Sequence, residues 1–472
     1  MAIFFGAIAA EDCKNIATVF RPWSAPMRGF FRRPSPTVEP ASGTMARRAF
    51  SARALGAGAS ALLPGRLQSA TPDQVSAFVD FSSRIAVRSM NGFLNSIHHA
   101  NPPSERIRPL QPKLWRSNEL RLHGAIQSWG AKFEGVPSDG WGYPLNGNWK
   151  SPYENVAAWE ALVRRIAELT RGREIYWDIW NEPDMLGSWL GSREALFATW
   201  ISAARILKQT LGPDTKVGGP STSSFQPAFF EAFLSSCLRA GCEVNFLCWH
   251  ELEPWSDIAL VERNVRYARR EYAENARFQK LKLSEIHVNE YVGEVDQYRP
   301  AELLAFLFYL ERGGADYAAR SCWGAHCEDN SIDGIIDPRT LQPRAPWWVH
   351  AYYAAGCERR VRSDSDFGHV VVIGQALPAG ANHVQALIGY YGHEGATAPR
   401  LPVEIRLSGL SRIVKSRRAR IMVMRIPDVG ARTLITLPVV FDELLDVVDD
   451  QVLFRVDSLA VHEVCAIRVE EI

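Results

Sequence analysis

The chain of 472 residues lacks the features of several common classes of protein. It has no run of about 18 or more apolar residues, which a membrane-spanning helix requires. Its formal net charge is only +1, so the sequence gives no reason to expect nucleic acid, an anionic membrane or a strongly acidic polymer as a partner. No cysteines and histidines have the spacing of a zinc site, and no Gly-x-Ser-x-Gly sequence marks a serine hydrolase. The sequence therefore indicates neither a metal nor another cofactor.

The sequence is also poor in cysteine. Eight cysteines are too few and too scattered for a disulfide framework. Two close pairs, Cys237 with Cys242 and Cys322 with Cys327, can form bridges if the protein is exported. The sequence leaves their pairing open.

The first 70 residues differ in composition from the rest of the chain. They contain nine Lys and Arg residues but only three acids. After Met45, the pair Arg47 and Arg48 precedes a short apolar stretch at residues 54–63, a pattern typical of a twin-arginine export signal. It predicts a periplasmic or extracellular protein, with Met1 or Met45 as the start. The alternative is a basic tail on a cytoplasmic protein.

Residues 71–355 alternate short apolar runs with segments of helical periodicity. Repetition of a strand and a helix is typical of a parallel sheet, and eight such units predict a (β/α)₈ TIM barrel in the α/β class. The predicted strands are residues 86–94, 113–117, 132–136, 175–180, 216–219, 244–249, 286–290 and 318–323.

Residues 356–472 show a different pattern, with strands separated by Gly and Pro turns and no helices between them. This pattern predicts a C-terminal β-sandwich domain beside the barrel. The predicted strands are residues 369–373, 383–390, 403–407, 420–425, 452–455 and 464–469.

The sequence Trp-Asn-Glu-Pro at residues 180–183 ends the fourth predicted strand. A carboxyl group buried against aromatic surface has its charged form disfavoured, which raises its pKa and lets it donate a proton near neutral pH. A simple turn containing Asn, Glu and Pro is the alternative. We therefore predict that Glu182 is a catalytic acid.

Hydrolysis needs a second carboxylate, and the sequence Asn-Glu-Tyr at residues 289–291 ends the seventh predicted strand. Glu290 lies 108 residues after Glu182 (290 − 182), which suits strands four and seven of a barrel whose catalytic groups lie at the carboxyl ends. Glu285 competes for the role. If the preceding helix extends to about Leu281, however, Glu285 begins the strand at the opposite face. An ordinary solvent-facing acid is the alternative for Glu290.

These two motifs resemble those of the retaining glycoside hydrolases of clan A, which carry Asn-Glu-Pro on strand four and a Glu on strand seven. Within the clan, the chain is most similar to family 39, which contains β-xylosidases, α-L-iduronidases and exopolysaccharide glycosidases. The resemblance covers the barrel and the C-terminal β domain; the first motif is specific to the clan, and the second is looser.

The resemblance implies that the protein hydrolyses O-glycosidic bonds of a β-xyloside- or β-glucoside-like oligo- or polysaccharide. In this mechanism Glu290 attacks the anomeric carbon, and Glu182 acts first as acid and then as base, with the two carboxyl groups about 5–5.5 Å apart. A separation of roughly 6.5–9.5 Å would instead imply inversion of configuration.

Other residues match positions that the clan places around the sugar. Arg116, at the end of strand two, matches an Arg beside the nucleophile and would keep the nucleophile ionised. His250 ends strand six, where the family has a His followed two residues later by Tyr. This chain has Leu252 there, so Tyr291 or Glu251 are candidates for the missing hydrogen bond to the nucleophile.

Further candidates would contact the sugar. Asn181 is predicted to bond the 2-hydroxyl, although it could simply cap its own turn. Trp323 ends strand eight, where the clan has an aromatic platform. Weaker candidates, which could equally pack their own loops, follow strands three and one: Trp141, Tyr143, His98 and His99.

Two other functions stay open at this point. A carbohydrate-binding barrel without turnover would use the same aromatic residues and Asn181, and a transglycosylase would transfer the sugar to an acceptor on a cell-surface polysaccharide. The sugar, the linkage, endo or exo action and the oligomeric state are also open.

Overall fold

The structure, a computed structural model, describes residues 72–471 except for 96, 98–101, 145–148, 253–254, 357–358, 377–382 and 393–398. The predicted export signal, His98 and His99 lie outside the described residues. No helix in these ranges combines the length and the apolar character needed to cross a membrane.

The first described strand, Val75–Ala86 (β1), precedes the barrel and is not part of it. The next eight strands form a closed parallel barrel, in which each strand pairs with its successor and the last pairs with the first. The predicted (β/α)₈ barrel is therefore confirmed. Its strands are β2 Gly92–Leu94, β3 Leu114–Ser117, β4 Lys132–Gly135, β5 Ile175–Asp178, β6 Lys216–Thr222, β7 Phe246–Glu251, β8 Glu285–Tyr291 and β9 Tyr317–Arg320.

Helices cover the outside of the barrel with one apolar face. In the helix Val156–Leu169, the buried residues Trp159, Val163, Ile166 and Ala167 recur at three- and four-residue spacing, the period of an amphipathic helix. Burying each large side chain contributes about 1.5–3 kcal/mol. The helices are α1 Ser104–Ile107, α2 His123–Ser128, α3 Pro137–Trp141, α4 Val156–Leu169, α5 Arg193–Leu211, α6 Pro227–Arg239, α7 Leu260–Ala268, α8 Pro300–Gly313 and α9 Ala345–Ala355.

β1 belongs to a second sheet that is otherwise built from the C-terminal part of the chain. It pairs antiparallel with β10 (Arg359–Ser365) and parallel with β13 (Leu401–Ser408). The predicted boundaries are corrected accordingly, since residues 75–86 are not part of the barrel and its first strand is Gly92–Leu94. The first half of β1 buries alternate residues, which is typical of a sheet with one solvated face rather than of a barrel strand covered on both faces.

The second sheet is mixed and has nine strands. The sequence patterns predict six of the eight strands in its C-terminal part and miss β10 and β15, because most residues of these two strands are exposed or half-buried and give little apolar alternation. The remaining strands are β11 Val370–Gln375, β12 His383–Tyr390, β14 Arg418–Ile426, β15 Val439–Asp446, β16 Gln451–Leu459 and β17 Val464–Glu471.

The nine-stranded sheet curls so that its two end strands approach each other. Its strand order is β15-β14-β17-β12-β11-β10-β1-β13-β16, yet the rings of Phe441 on β15 and Phe454 on β16 lie only 5.2 Å apart. Inward side chains from both halves, such as Val79 and Ile405, form one apolar core. This is the packing of the predicted β-sandwich.

Candidate active site

The loop after β5, the fourth barrel strand, holds Glu182 in an unusual backbone conformation. Glu182 has a φ of 47°, in the left-handed region that costs a non-glycine residue roughly 1–3 kcal/mol. Its N–H donates to the carbonyl oxygen of Ser221 at 2.8 Å. Strain of this kind clusters at functional sites, and here the turn fixes the position of the Glu182 carboxylate.

Glu290 lies near the carboxyl end of β8, the seventh barrel strand. Its side chain is 14% exposed, and its Oε1 accepts a hydrogen bond from Arg116 Nη1 at 2.8 Å. The buried Arg116, on β3, also donates to Asp178 and to Oδ1 of Asn181, each at 2.7 Å. Arg116 therefore joins three neighbouring side chains, including two that the sequence analysis singles out.

One buried imidazole contacts both glutamates. His250, at the end of β7, has its Nδ1 3.0 Å from Oε1 of Glu182 and its Nε2 3.7 Å from Oε1 of Glu290. Its Nε2 also lies 3.3 Å from Oγ of Ser221. Two acids that are 108 residues apart in the chain (290 − 182) are thus brought to one place at the carboxyl end of the barrel.

Charge pairing sets the pKa values of His250 and Glu182. Burial lowers the pKa of His250, but the charges of Glu290 and Glu182 outweigh burial and raise it above 6.5. Burial raises the pKa of Glu182, but the hydrogen bond and charge of His250 leave it below its usual value. The pair is therefore a carboxylate and an imidazolium, and its proton resides on His250.

This result corrects the prediction that aromatic surface raises the pKa of Glu182. Trp180, the neighbouring aromatic residue in the motif, is buried beneath the loop, where its ring packs against Trp159 and Trp189. The partner of the Glu182 carboxylate is His250 instead.

Glu290 experiences opposing influences. Burial, the largest of them, raises its pKa, while His250 and Arg116 lower it and Glu182 raises it further, so that the net pKa lies above the usual value. Arg116 thus acts on Glu290 in the predicted direction without outweighing burial.

Ionisable and polar side chains continue from this cluster into the barrel interior. Asn289 Nδ2 donates to Asp178 at 2.9 Å and to Glu134 at 2.8 Å. Glu134 lies 3.0 Å from Nδ1 of His287, whose Nε2 is 3.2 Å from Glu285. The sequence analysis missed this network. The available signal was polar residues at alternate positions of buried strands, as at 287 and 289 on β8, which point to the same side of a strand.

Glu285, the competing candidate for the second carboxylate, is the first residue of β8 and Glu290 is the sixth. Glu285 contacts Lys216 at 3.3 Å and His287 at 3.2 Å. Lys216 is likewise the first residue of β6, so this pair lies at the amino end of the barrel, opposite the cluster around Glu290.

Replacing His287 with Gln tests the interior network. Burial lowers the pKa of His287, but its bonds to Glu134 and Glu285 raise the net pKa above the usual 6.5. Breaking a buried pair costs about 3–5 kcal/mol, so the variant is expected to unfold at a lower temperature. The contribution of the charged form is complete below the unfolded pKa and is lost as pH rises through the folded pKa.

The loss of stability is therefore expected to be larger at about pH 5.5 than at about pH 8.5. Thermal unfolding midpoints of both proteins at the two pH values measure the difference. Equal losses at both values would show that His287 is not charged in the folded protein.

Tyr291 does not make the predicted contact with Glu290. It is fully buried, its hydroxyl donates to the carbonyl oxygen of Met90 at 3.4 Å, and its ring lies 5.8 Å from that of Phe306. Side chains of consecutive strand residues point to opposite faces, which separates Tyr291 from Glu290. Arg116 provides the hydrogen bond to Glu290 instead.

Glu251, the other candidate for that bond, accepts hydrogen bonds from Trp249 Nε1 at 2.7 Å and from Asn264 Nδ2 at 3.0 Å. Of the candidate aromatic residues, Trp141 donates to the carbonyl oxygen of Lys150 and packs edge-on against Trp159, as a residue that stabilises its own loop does.

Trp323 follows β9, the eighth barrel strand, and is half-buried. Its Nε1 donates to the carbonyl oxygen of Val292 at 3.0 Å, two residues beyond Glu290. A disulfide between Cys322 and Cys327 encloses it in a short loop, so this possible pairing is present. Cys237 and Cys242, the other candidate pair, are free and buried.

The barrel and its curled sheet define a protein with the fold of the family 39 glycoside hydrolases of clan A. Neither a family model nor a curated protein matches the sequence, so the similarity appears in the structure alone.

Solved structures show this fold at low sequence identity, which establishes the fold and not the activity. They include a glucosidase from Croceicoccus marinus (16% identity, 84% of this chain and 99% of that chain covered, TM-score 0.63) and a monomeric beta-xylosidase from Caulobacter crescentus CB15 (14%, 84% and 99%, 0.62). A third is the GH39 enzyme from Xanthomonas axonopodis pv. citri (13%, 86% and 99%, 0.61).

Proposed function

We propose that the protein is a retaining glycoside hydrolase acting on a β-xyloside- or β-glucoside-like oligo- or polysaccharide. The observation that carries this proposal is the contact of one imidazole, that of His250, with both Glu182 and Glu290. Two carboxyl groups that share one neighbour at the carboxyl end of a barrel can flank a single sugar. The fold, which solved glycosidases share, supports the same class of activity.

In the proposed first step, Glu290 attacks the anomeric carbon and the bond from this carbon to the glycosidic oxygen breaks. Glu182 donates a proton to the departing oxygen and is resupplied by His250 Nδ1, which holds the proton of the pair. Arg116 aligns the Glu290 carboxylate and accepts Asn181 Oδ1 as a partner. The side-chain nitrogen of Asn181 then faces the sugar and bonds its 2-hydroxyl.

In the second step, water replaces the leaving group. Glu182, now a base, removes a proton from this water while its oxygen attacks the anomeric carbon. The bond from the sugar to Glu290 breaks, and the proton returns to the pair formed with His250. Two inversions leave the configuration of the sugar unchanged.

The anomer that is released first tests the proposal. Proton NMR during hydrolysis of aryl β-xylosides and β-glucosides is expected to show the β-anomer before mutarotation. Initial release of the α-anomer would establish inversion and contradict the roles given to Glu290 and Glu182. A barrel that only binds carbohydrate would release no sugar, and a transglycosylase would form longer products when an acceptor sugar is added.

We also propose that the protein is exported. The paired arginines Arg47 and Arg48 support this proposal, as does the disulfide between Cys322 and Cys327, since disulfides persist in oxidising compartments. Fractionation of cells that express the full chain tests the location.

A further inference from the structure

A third carboxylate, Asp139, lies beside the candidate site. It belongs to α3, which begins at Pro137 directly after β4 and therefore at the carboxyl end of the barrel. The Tyr143 hydroxyl donates to Oδ1 of Asp139. The sequence analysis considered Tyr143 as an outer contact and did not consider Asp139.

Hydrogen bonds connect Asp139 to the loop of the catalytic candidates. The Tyr143 hydroxyl lies 2.7 Å from Oγ of Ser138. Ser138 Oγ in turn accepts the N–H of Asn181 at 3.2 Å, and Asn181 precedes Glu182. The position of Asp139 is thus fixed relative to Asn181 by bonds through Tyr143 and Ser138.

Only one oxygen of Asp139 has a partner. Within the described part of the chain, Oδ2 has no hydrogen bond, and it is not among the sealed polar atoms that lack one. Asp139 is half-buried, so Oδ2 can accept a hydrogen bond from a ligand. Burial raises the pKa of Asp139 to about 6, against the hydrogen bond from Tyr143 and the charge of Arg116. Asp139 is therefore mainly ionised at pH 7 and is only an acceptor.

The cations around the site are already paired. Arg116 is engaged by Glu290, Asp178 and Asn181, and His250 is engaged by Glu182. In the neighbouring loops, two more arginines form ion pairs: Arg121 with Glu119 at 2.6 Å, and Arg299 with Asp296 at 2.7 Å. Among the described residues in these contacts, none leaves a cation uncommitted for the carboxylate of a uronic acid.

We infer that Asp139 is a specificity-determining residue that selects a neutral sugar, by accepting one of its hydroxyl protons at Oδ2, and rejects a uronic acid by charge repulsion. The inference rests on the proposed function and adds the class of sugar to it. An anionic acceptor discriminates strongly, because it gains a charge-assisted bond from a hydroxyl and repels a like charge.

The experiment compares kcat/KM for four aryl glycosides: β-xyloside, β-glucoside, β-glucuronide and α-L-iduronide. The wild-type protein is expected to cleave the better neutral substrate about 100-fold or more faster than either uronide, since a bond to a charged group and a repulsion both contribute. In Asp139→Asn, kcat/KM for the neutral substrate should fall about 10- to 100-fold, mainly through KM, and the preference over uronides should shrink.

Glu154→Gln is the matched control, since it removes one negative charge from an exposed residue in the same loop region and should change neither the rate nor the preference. If Asp139→Asn does not fold, the wild-type preference alone decides. A wild-type protein that prefers a uronide, or an Asp139→Asn variant with the wild-type preference, would overturn the inference while leaving the proposed function intact. A wild-type protein that cleaves no glycoside would overturn both.

Discussion

Replacing Glu290 with Ala is expected to abolish glycoside hydrolysis, with a loss on the order of 10⁴- to 10⁶-fold in kcat, because the covalent route loses its nucleophile. The shortened side chain leaves room for a small anion beside Arg116, which donates to Glu290 at 2.8 Å in the intact protein. Azide should therefore restore part of the activity on an activated aryl glycoside and yield a glycosyl azide of inverted configuration. Rates with and without azide, and NMR of the product, measure both effects.

Glu285→Ala is the control for this prediction. Glu285 shares β8 with Glu290 but contacts Lys216 and His287 at the other end of the strand. It should retain turnover, although with reduced stability, and should not respond to azide. If Glu285→Ala is the variant that azide rescues while Glu290→Ala stays active, the assignment of the nucleophile is wrong.

Replacing Glu182 with Gln should separate substrates by their leaving groups. General acid catalysis contributes about 10²- to 10⁴-fold, and the contribution is largest where the departing oxygen is strongly basic. We expect a loss of this size on alkyl or oligosaccharide substrates and a much smaller loss on dinitrophenyl glycosides. A plot of log(kcat/KM) against the leaving-group pKa measures the effect as a steeper slope in the variant.

His250 gives this prediction a pH dependence. In the wild type, the pair formed with Glu182 keeps its proton until pH rises through the His250 pKa, which lies above 6.5. Activity on poor leaving groups should therefore fall along a basic limb above pH 6.5 that Glu182→Gln lacks. Equal losses on good and poor leaving groups, with the basic limb retained, would exclude Glu182 as the acid.

Sequence patterns were sufficient to predict the barrel because its strands and helices carry local signals. Every barrel strand contains apolar residues within a short run, and an amphipathic helix such as α4 repeats its apolar positions every three or four residues. The positions of Glu182 and Glu290 also follow locally, because each ends or nearly ends a strand, and strand ends define one face of a barrel.

Contacts between distant parts of the chain were not predictable in the same way. β1 pairs with a strand almost 300 residues later, as the bond between Ser76 and Asp366 at a separation of 290 residues shows. Nothing within residues 75–86 specifies that partner. The boundary error at the start of the barrel arises from this long-range pairing.

The electrostatics of the site were missed for a related reason. The pKa of Glu182 depends on His250, which lies 68 residues away in the chain, and not on the adjacent aromatic residues of its motif. In the same way Asp178, Glu134 and His287 are ordinary polar residues in sequence, and only the closed barrel brings them into one buried network.

Trapping with an activated 2-fluoro glycoside measures the central relation most directly, because the fluorine slows release of a glycosyl-enzyme that only an attacking side chain can form. Peptide mapping should locate one sugar on Glu290, and Glu290→Gln should stay unlabelled. Label found on Glu285, or steady substrate turnover without any covalent adduct, would contradict the arrangement in which Glu290 attacks the sugar while Glu182 protonates its leaving group.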